Sequence, residues 1–184
     1  MKKIILTALV TVLLCASVVG TTFAWLVDVT ETKKNEFTAG NVKISFAEST
    51  STNKRMLPGA TLEENPTVTV YAESEACWLF AKIEKSDNFD TFLTYAIAEG
   101  WTALPEVDGV YYREVADTDA NQVFGILLNN QVKAKTEPTK EHYDALSEAN
   151  FPALFFTMYA VQREGMATAV AAWAQAEGLS NMGH

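Results

Sequence analysis

The 184-residue chain carries 23 acidic against 14 basic side chains, a formal charge of −9. A surface of that sign repels nucleic acid and anionic lipid, which excludes a nucleic-acid partner. Its two cysteines, Cys15 and Cys77, are too few for a framework of several disulfides.

Met1-Lys2-Lys3 supplies a short positive start, Ile4 to Val19 is almost wholly apolar, and Gly20-Thr21-Thr22 loosens the helix. This is the three-part layout of a secretory signal peptide, here residues 1–24. Thr22 and Ala24 are small at minus three and minus one, which sets the cut after Ala24, before Trp25, or one residue later. An uncleaved anchor is the alternative, since a membrane span needs roughly 20 apolar residues and Phe23 to Val27 would extend the core. Leu14 is too large for a lipobox, so Cys15 is not read as lipidated. Cleavage removes Lys2 and Lys3 and no acid; 14 basic residues less these two leaves 12 against 23 acidic ones, a formal charge of −11. Cys77 is then alone, a pattern that suits Gram-positive export. Residues 25–37 form an N-terminal segment and 38–184 one domain of ordinary size.

Asn41 to Phe46 alternates, Val42, Ile44 and Phe46 on one face and Asn41, Lys43 and Ser45 on the other, and predicts a half-buried strand. Glu48 to Arg55 is polar and reads as a loop, and Pro58-Gly59 as a turn. Pro66 is expected to open a strand over Thr67 to Tyr71, at the position where its missing N–H does least harm. Cys77 to Glu84 opposes Cys77, Leu79, Ala81 and Ile83 to Trp78, Phe80, Lys82 and Glu84; apolar groups on both faces predict a central strand covered on both sides. Further strands are expected at Tyr95–Ile97, Gly109–Val115, Gln122–Leu127, Gln131–Lys135 after an Asn129-Asn130 turn, and Ala153–Val161. Thr139 is expected to cap a helix over Lys140–Glu148 that presents Tyr143 and Leu146. A second helix, Met166–Glu177, should turn Met166, Val170, Trp173 and Ala174 inward and stop at Gly178. The pattern is mainly β: an antiparallel β-sandwich with about two peripheral helices, preceded by the signal helix.

Ala24-Trp25-Leu26-Val27-Asp28, followed by Asn35-Glu36-Phe37-Thr38-Ala39-Gly40-Asn41-Val42-Lys43-Ile44, resembles the N-terminus of the TasA/camelysin family of Gram-positive exported proteins. The likeness continues through Pro58-Gly59, Asn65 to Val70, Gly109 to Val115, Tyr159 to Gln162 and Ala171 to Ala174, and so covers nearly the whole chain. Thr21 stands where the family often has a second glycine, and Trp25 is bulky beside the cut. The resemblance implies a jelly-roll-like sandwich, a SipW-type signal peptidase as processing partner, and assembly with other copies of itself into biofilm-matrix fibres. It also implies that the freed N-terminal segment, Trp25 to Phe37 here, pairs as a strand with a neighbouring subunit. Leu26, Val27, Asp28, Val29 and Thr30 are β-prone and would form the donor strand, because an open sheet edge is a template for another chain. The same segment could instead fold back as an edge strand of its own domain. Membrane contact is expected only through an uncleaved signal.

Chemistry is sparse. A zincin needs two histidines one helical turn apart with a glutamate beside them, and the chain has only His142 and His184, with Leu146 four residues after His142. Camelysin-like metallopeptidase activity is therefore not expected, although the family branch raises it. Cys77 has no basic neighbour in sequence and reads as a core thiol, and Ser180 lacks the Gly-x-Ser-x-Gly setting. Asp117-Thr118-Asp119-Ala120-Asn121 opens like a calcium loop, but Gln122 and Leu128 replace its glycine and terminal glutamate, which leaves a solvated acidic turn, with weak calcium binding as the alternative. Trp78, Trp101, Tyr111, Tyr112 and Trp173 read as core rather than a carbohydrate-binding face. No catalytic residue, metal or cofactor is called for. The expected function is a secreted structural subunit of extracellular fibres, with a monomeric surface or secreted binding or accessory protein as the alternative.

Overall fold

The structure is a computed structural model and describes residues 35–39, 41–50, 56–117, 119–147 and 149–182. The protein is mainly β, with two facing sheets and three helices among the described residues. The first sheet runs β1 (Asn35–Ala39), β10 (Leu154–Gln162), β4 (Cys77–Lys85), β7 (Val110–Val115) and β6 (Thr102–Ala103). The second runs β2 (Ile44–Thr50), β3 (Thr61–Val70), β9 (Leu127–Ala134) and β5 (Leu93–Ile97), with β8 (Gln122–Gly125) beside β3. All pairings are antiparallel except β1 with β10, which is parallel.

β4 is the centre of its sheet, as the two apolar faces of Cys77 to Glu84 predict. Cys77, Leu79, Ala81 and Ile83 point into the inter-sheet core with Ile44, Phe46, Val68, Val70, Phe156 and Met158. Trp78 and Phe80 point the other way, into a second cluster with Tyr159, Val161, Ala172 and Trp173. That outer layer is made by α3 (Ala169–Met182), which packs on β1, β4 and β10. Trp173 stands edge-on to Tyr159 at 5.0 Å and tilted against Phe80 at 5.3 Å. Two shorter helices, α1 (Phe89–Phe92) and α2 (Lys140–Asp144), lie along the chain near one end of β5.

Several local expectations change. β2 continues through Glu48–Thr50, paired with Glu64–Pro66, where a loop is expected from composition. Pro66 lies inside β3, not at its start. Its carbonyl accepts from Ile126 N–H at 3.0 Å, and in a strand a residue's N and C=O point the same way. The missing N–H therefore falls where the neighbour of β3 changes from β9, at residues 61–63, to β8, at residues 67–70, and no ladder bond is lost there. Asn129 and Asn130 adopt the left-handed conformation, φ 55° and 54°, yet lie within β9. Leu128, Asn129, Asn130 and Gln131 bulge opposite the single residue Ala96, because Ile97 faces Leu127 and Tyr95 faces Val132.

The helices also differ in detail. α2 ends at Asp144 and, with Tyr143 and Leu146, packs on the core as expected. α3 begins at Ala169, not Met166, passes through Gly178 and buries Ala169, Ala172, Trp173 and Ala176, leaving Val170 and Ala174 exposed. The Pro58-Gly59 turn is as read: Ala60 N–H donates to Leu57 C=O at 2.9 Å, with Gly59 at φ 76°.

Gly109 is the turn glycine on which the centre of the first sheet depends. It has φ 74°, and a Cβ there would sit 2.6 Å from the Ile83 carbonyl oxygen. Gly165 has φ 80° with nothing within 4 Å. Gly109→Ala is expected to cost at least about 2 kcal/mol in urea denaturation, against about 1 kcal/mol for Gly165→Ala. Equal losses at the two positions would remove the close approach as the cause.

Candidate functional site: the N-terminal edge strand

The chain's N-terminal segment enters the fold as β1. Asn35 pairs with Thr157 and Ala39 with Val161, in parallel, and among the described residues β1 has no other strand partner. Asn35, Glu36 and Phe37, the last residues of the 25–37 segment, are thus edge-strand residues on their own domain. Ala24, Trp25 and Leu26–Thr30, which carry the expected cut and donor strand, lie outside the described residues, as does the signal helix.

The other end of this edge is fixed. After β1 the chain crosses to the second sheet, and several hydrogen bonds hold Asn41 and Lys43 there, among them one from Ser74 Oγ to Lys43 C=O at 3.4 Å. Lys43 N–H donates to Ser74 Oγ at 3.0 Å, Tyr71 N–H to Lys43 C=O at 2.9 Å, and Glu75 N–H to Asn41 C=O at 3.2 Å. Ser74 is buried, which its backbone partner permits. Val42 is buried at the head of the inter-sheet core.

A five-residue parallel ladder with one neighbour is the weakest kind of strand attachment, since parallel bonds are slanted and an edge strand has half its groups unpaired. β10 is held on its other side by nine antiparallel pairs to β4. The edge is thus a short strand, paired on one side, beside a neighbour with a long ladder of its own.

The remaining candidates are placed plainly. Cys77 is fully buried at the start of β4, and burial pushes its thiol up to about 11. A thiol so held is not a nucleophile at neutral pH. His142 is exposed on α2. Ser180 lies in α3. Asp117 and Asp119 are exposed, while Asn121 Oδ1 accepts from Ala72 N–H at 2.9 Å, so it serves the backbone. Trp78, Trp101 and Trp173 are buried, and Tyr111 and Tyr112 half-buried, so this set is core. Among the described residues no three His, Cys, Asp or Glu side chains gather as metal ligands would, and no helix is long and apolar enough to cross a membrane.

Composition gives no sign of two further arrangements. The Arg113 guanidinium stacks 3.8 Å from the Phe124 ring centre and 5.5 Å from that of Trp101, and burial lowers its pKa. Trp101 in turn donates from Nε1 to Gly125 C=O at 2.8 Å. Ser74 fixes the β1–β2 crossing, and only the tertiary contact distinguishes it from any loop serine.

Comparison with protein-family models, curated proteins and solved structures found no match.

The state of Cys77 makes stability depend on alkaline pH. Its thiol ionises near 9 when unfolded and near 11 when folded, so the stabilisation from burial is complete below pH 9 and is lost as the pH rises through 11. Tyr95, raised to about 12 by burial first and then by Tyr111 and Asp90, extends the loss to higher pH. Urea midpoints should fall between pH 9 and 11, with a shallower fall in Cys77→Ala. An unchanged slope in that variant would show that the thiol does not carry the effect.

Proposed function

We propose that this protein is an exported, fibre-forming structural subunit of the TasA/camelysin type. Its signal is cut at Ala24–Trp25, and Leu26–Thr30 together with the strand that follows are exchanged between copies. The sandwich is jelly-roll-like on this reading. Support comes from the winding: the chain passes between the two sheets from β1 to β2, β3 to β4, β4 to β5, β5 to β6, β7 to β8 and β9 to β10.

The observation that carries the reading is the β1–β10 edge. A strand that pairs in parallel with one neighbour, is rooted at Asn41 and begins a few residues after the β-prone segment can form the same ladder on another copy's β10. Such an exchange creates no new interaction. It replaces an intramolecular ladder by an identical intermolecular one, so concentration and the release of a new N-terminus decide which forms. A net acidic surface keeps the exported copies soluble until that pairing is made. Nothing in the reading calls for a catalytic group, a cofactor or nucleic acid.

The test is to express the secreted form, determine its N-terminus by intact mass, and image concentrated samples by electron microscopy. A start at Trp25 or Leu26 is expected, with filaments that depend on concentration. Deletion of residues 25–36, or a blocking extension ahead of Trp25, should abolish the filaments while leaving a folded monomer. A protein that keeps its signal, or stays monomeric at every concentration, overturns the proposal in favour of an anchored or secreted binding module.

A further inference from the structure

α2 is held at its start by a contact that depends on a proton. The Thr139 backbone N–H donates to His142 Nδ1 at 3.0 Å, and the Thr139 hydroxyl lies 3.0 Å from the same nitrogen. A ring nitrogen that accepts from a backbone N–H carries no hydrogen, so this contact requires the neutral tautomer protonated at Nε2. Imidazolium has a hydrogen on both nitrogens and cannot make it.

Beside this contact, the Thr139 side chain accepts from the His142 backbone N–H, Asn150 Nδ2 donates to Ala145 C=O at 3.1 Å, and Pro138 is buried just ahead of the cap. Five residues are too few to persist as a helix through their own hydrogen bonds. The anchors to the sandwich are Leu146 and the Tyr143 ring, 5.4 Å from the ring of the buried Phe92 in α1. Tyr143 is a costly anchor, because its hydroxyl is buried without a hydrogen-bond partner. Around His142, Glu141 lies beside the cap, with Oε2 3.4 Å from the Thr139 hydroxyl, and Lys140 is engaged by Asp144 at 2.5 Å. From α1, the group that faces the imidazole is the Phe92 ring, edge-on at 6.4 Å. His142 is exposed, so solvent reaches the ring.

We propose that Thr139 and His142 form an acid-released clasp. Protonation at Nδ1 withdraws the acceptor from the Thr139 amide, opens the first turn of α2 and loosens Thr139 to Leu146 from the Phe92 end of the sandwich. The device is separate from the β1 edge and does not depend on assembly. Histidine as a residue type changes charge between about pH 5 and 8, and this range sets the two pH values of the test.

The test combines imidazole ¹⁵N spectra with amide hydrogen exchange across residues 139–146, at pH 8 and pH 5. His142→Gln is the reference that stays closed, since a side-chain amide oxygen at this position accepts from the cap N–H at either pH. His142→Ala is the reference that stays open. At pH 8 the His142 ring should be the Nε2–H tautomer, and wild type should exchange like His142→Gln. At pH 5 wild type should exchange roughly five-fold faster than His142→Gln, the scale of one N-cap interaction, and match His142→Ala. A ring protonated at Nδ1 at pH 8, or wild type and His142→Gln alike at both pH values, overturns the clasp. His184 does not confuse the result, because it is present in all three proteins.

Discussion

The antiparallel pairing of β4 with β10 is the constraint on which the rest of the molecule rests. Nine residue pairs join the two strands, from Cys77 opposite Gln162 to Lys85 opposite Leu154. Cross-strand partners alternate in size on the inner face: Leu79 stands opposite Ala160, and Ala81 opposite Met158. The next inner pair, Ile83 opposite Phe156, is large on both sides, so large-against-small holds for two of these pairs. On the outer face Trp78 pairs with Val161 and Phe80 with Tyr159, and these present the surface onto which Trp173 and the alanines of α3 settle. One strand pair thus serves two apolar layers, and both the facing sheet and the covering helix are placed by it. Cys77 shows how dry the inner layer is, since only loss of water raises its thiol.

This organisation explains what could be read in advance. β4 was legible because alternation with apolar groups on both faces has one physical meaning, burial on both sides. β7 and β10 were legible for the same reason, their apolar runs being bounded by turn residues. Pro66 was misplaced because the missing N–H argues against a strand interior only where a neighbour needs that N–H; at the junction of β8 and β9 none does. The Asn129-Asn130 pair was read with the right local chemistry, positive φ, and the wrong consequence, a turn in place of a bulge. In α3 the fault lies in composition. A helix built of alanine offers almost no contrast between faces, so the position of Trp173 over β4 and β10 decides which alanines are covered. Gly178 does not end it, for glycine inside a helix costs only about 1 kcal/mol, and alanine-rich neighbours offset that.

The candidate site was legible only in part. Local sequence marks Leu26–Thr30 as β-prone, but no local signal names a parallel partner more than a hundred residues away, and β1 is such a strand. Nor does sequence show Ser74 as the fixed point behind it, because a serine becomes buried and hydrogen-bonded only when two distant segments meet. The same holds for Arg113, whose place between Phe124 and Trp101 depends on the approach of β7, β8 and the β5–β6 connection.

These features bear on how an edge strand can be exchanged without unfolding its owner. If β1 leaves, β10 still keeps its whole ladder with β4, so the central pairing does not depend on the exchanging strand. The crossing at Asn41–Lys43 stays bound to Tyr71, Ser74 and Glu75, which confines the movement to the chain ahead of Asn41. On the proposed reading, release loses the five-residue ladder and the packing of α3 on β1, and an incoming copy would restore both. On the proposed reading, the exchange is thus nearly neutral in contact energy per strand, and its direction is set by concentration and by whatever the residues ahead of Asn35 add. A rigid acceptor with a short, weakly held native occupant is the arrangement in which such small additions decide the outcome.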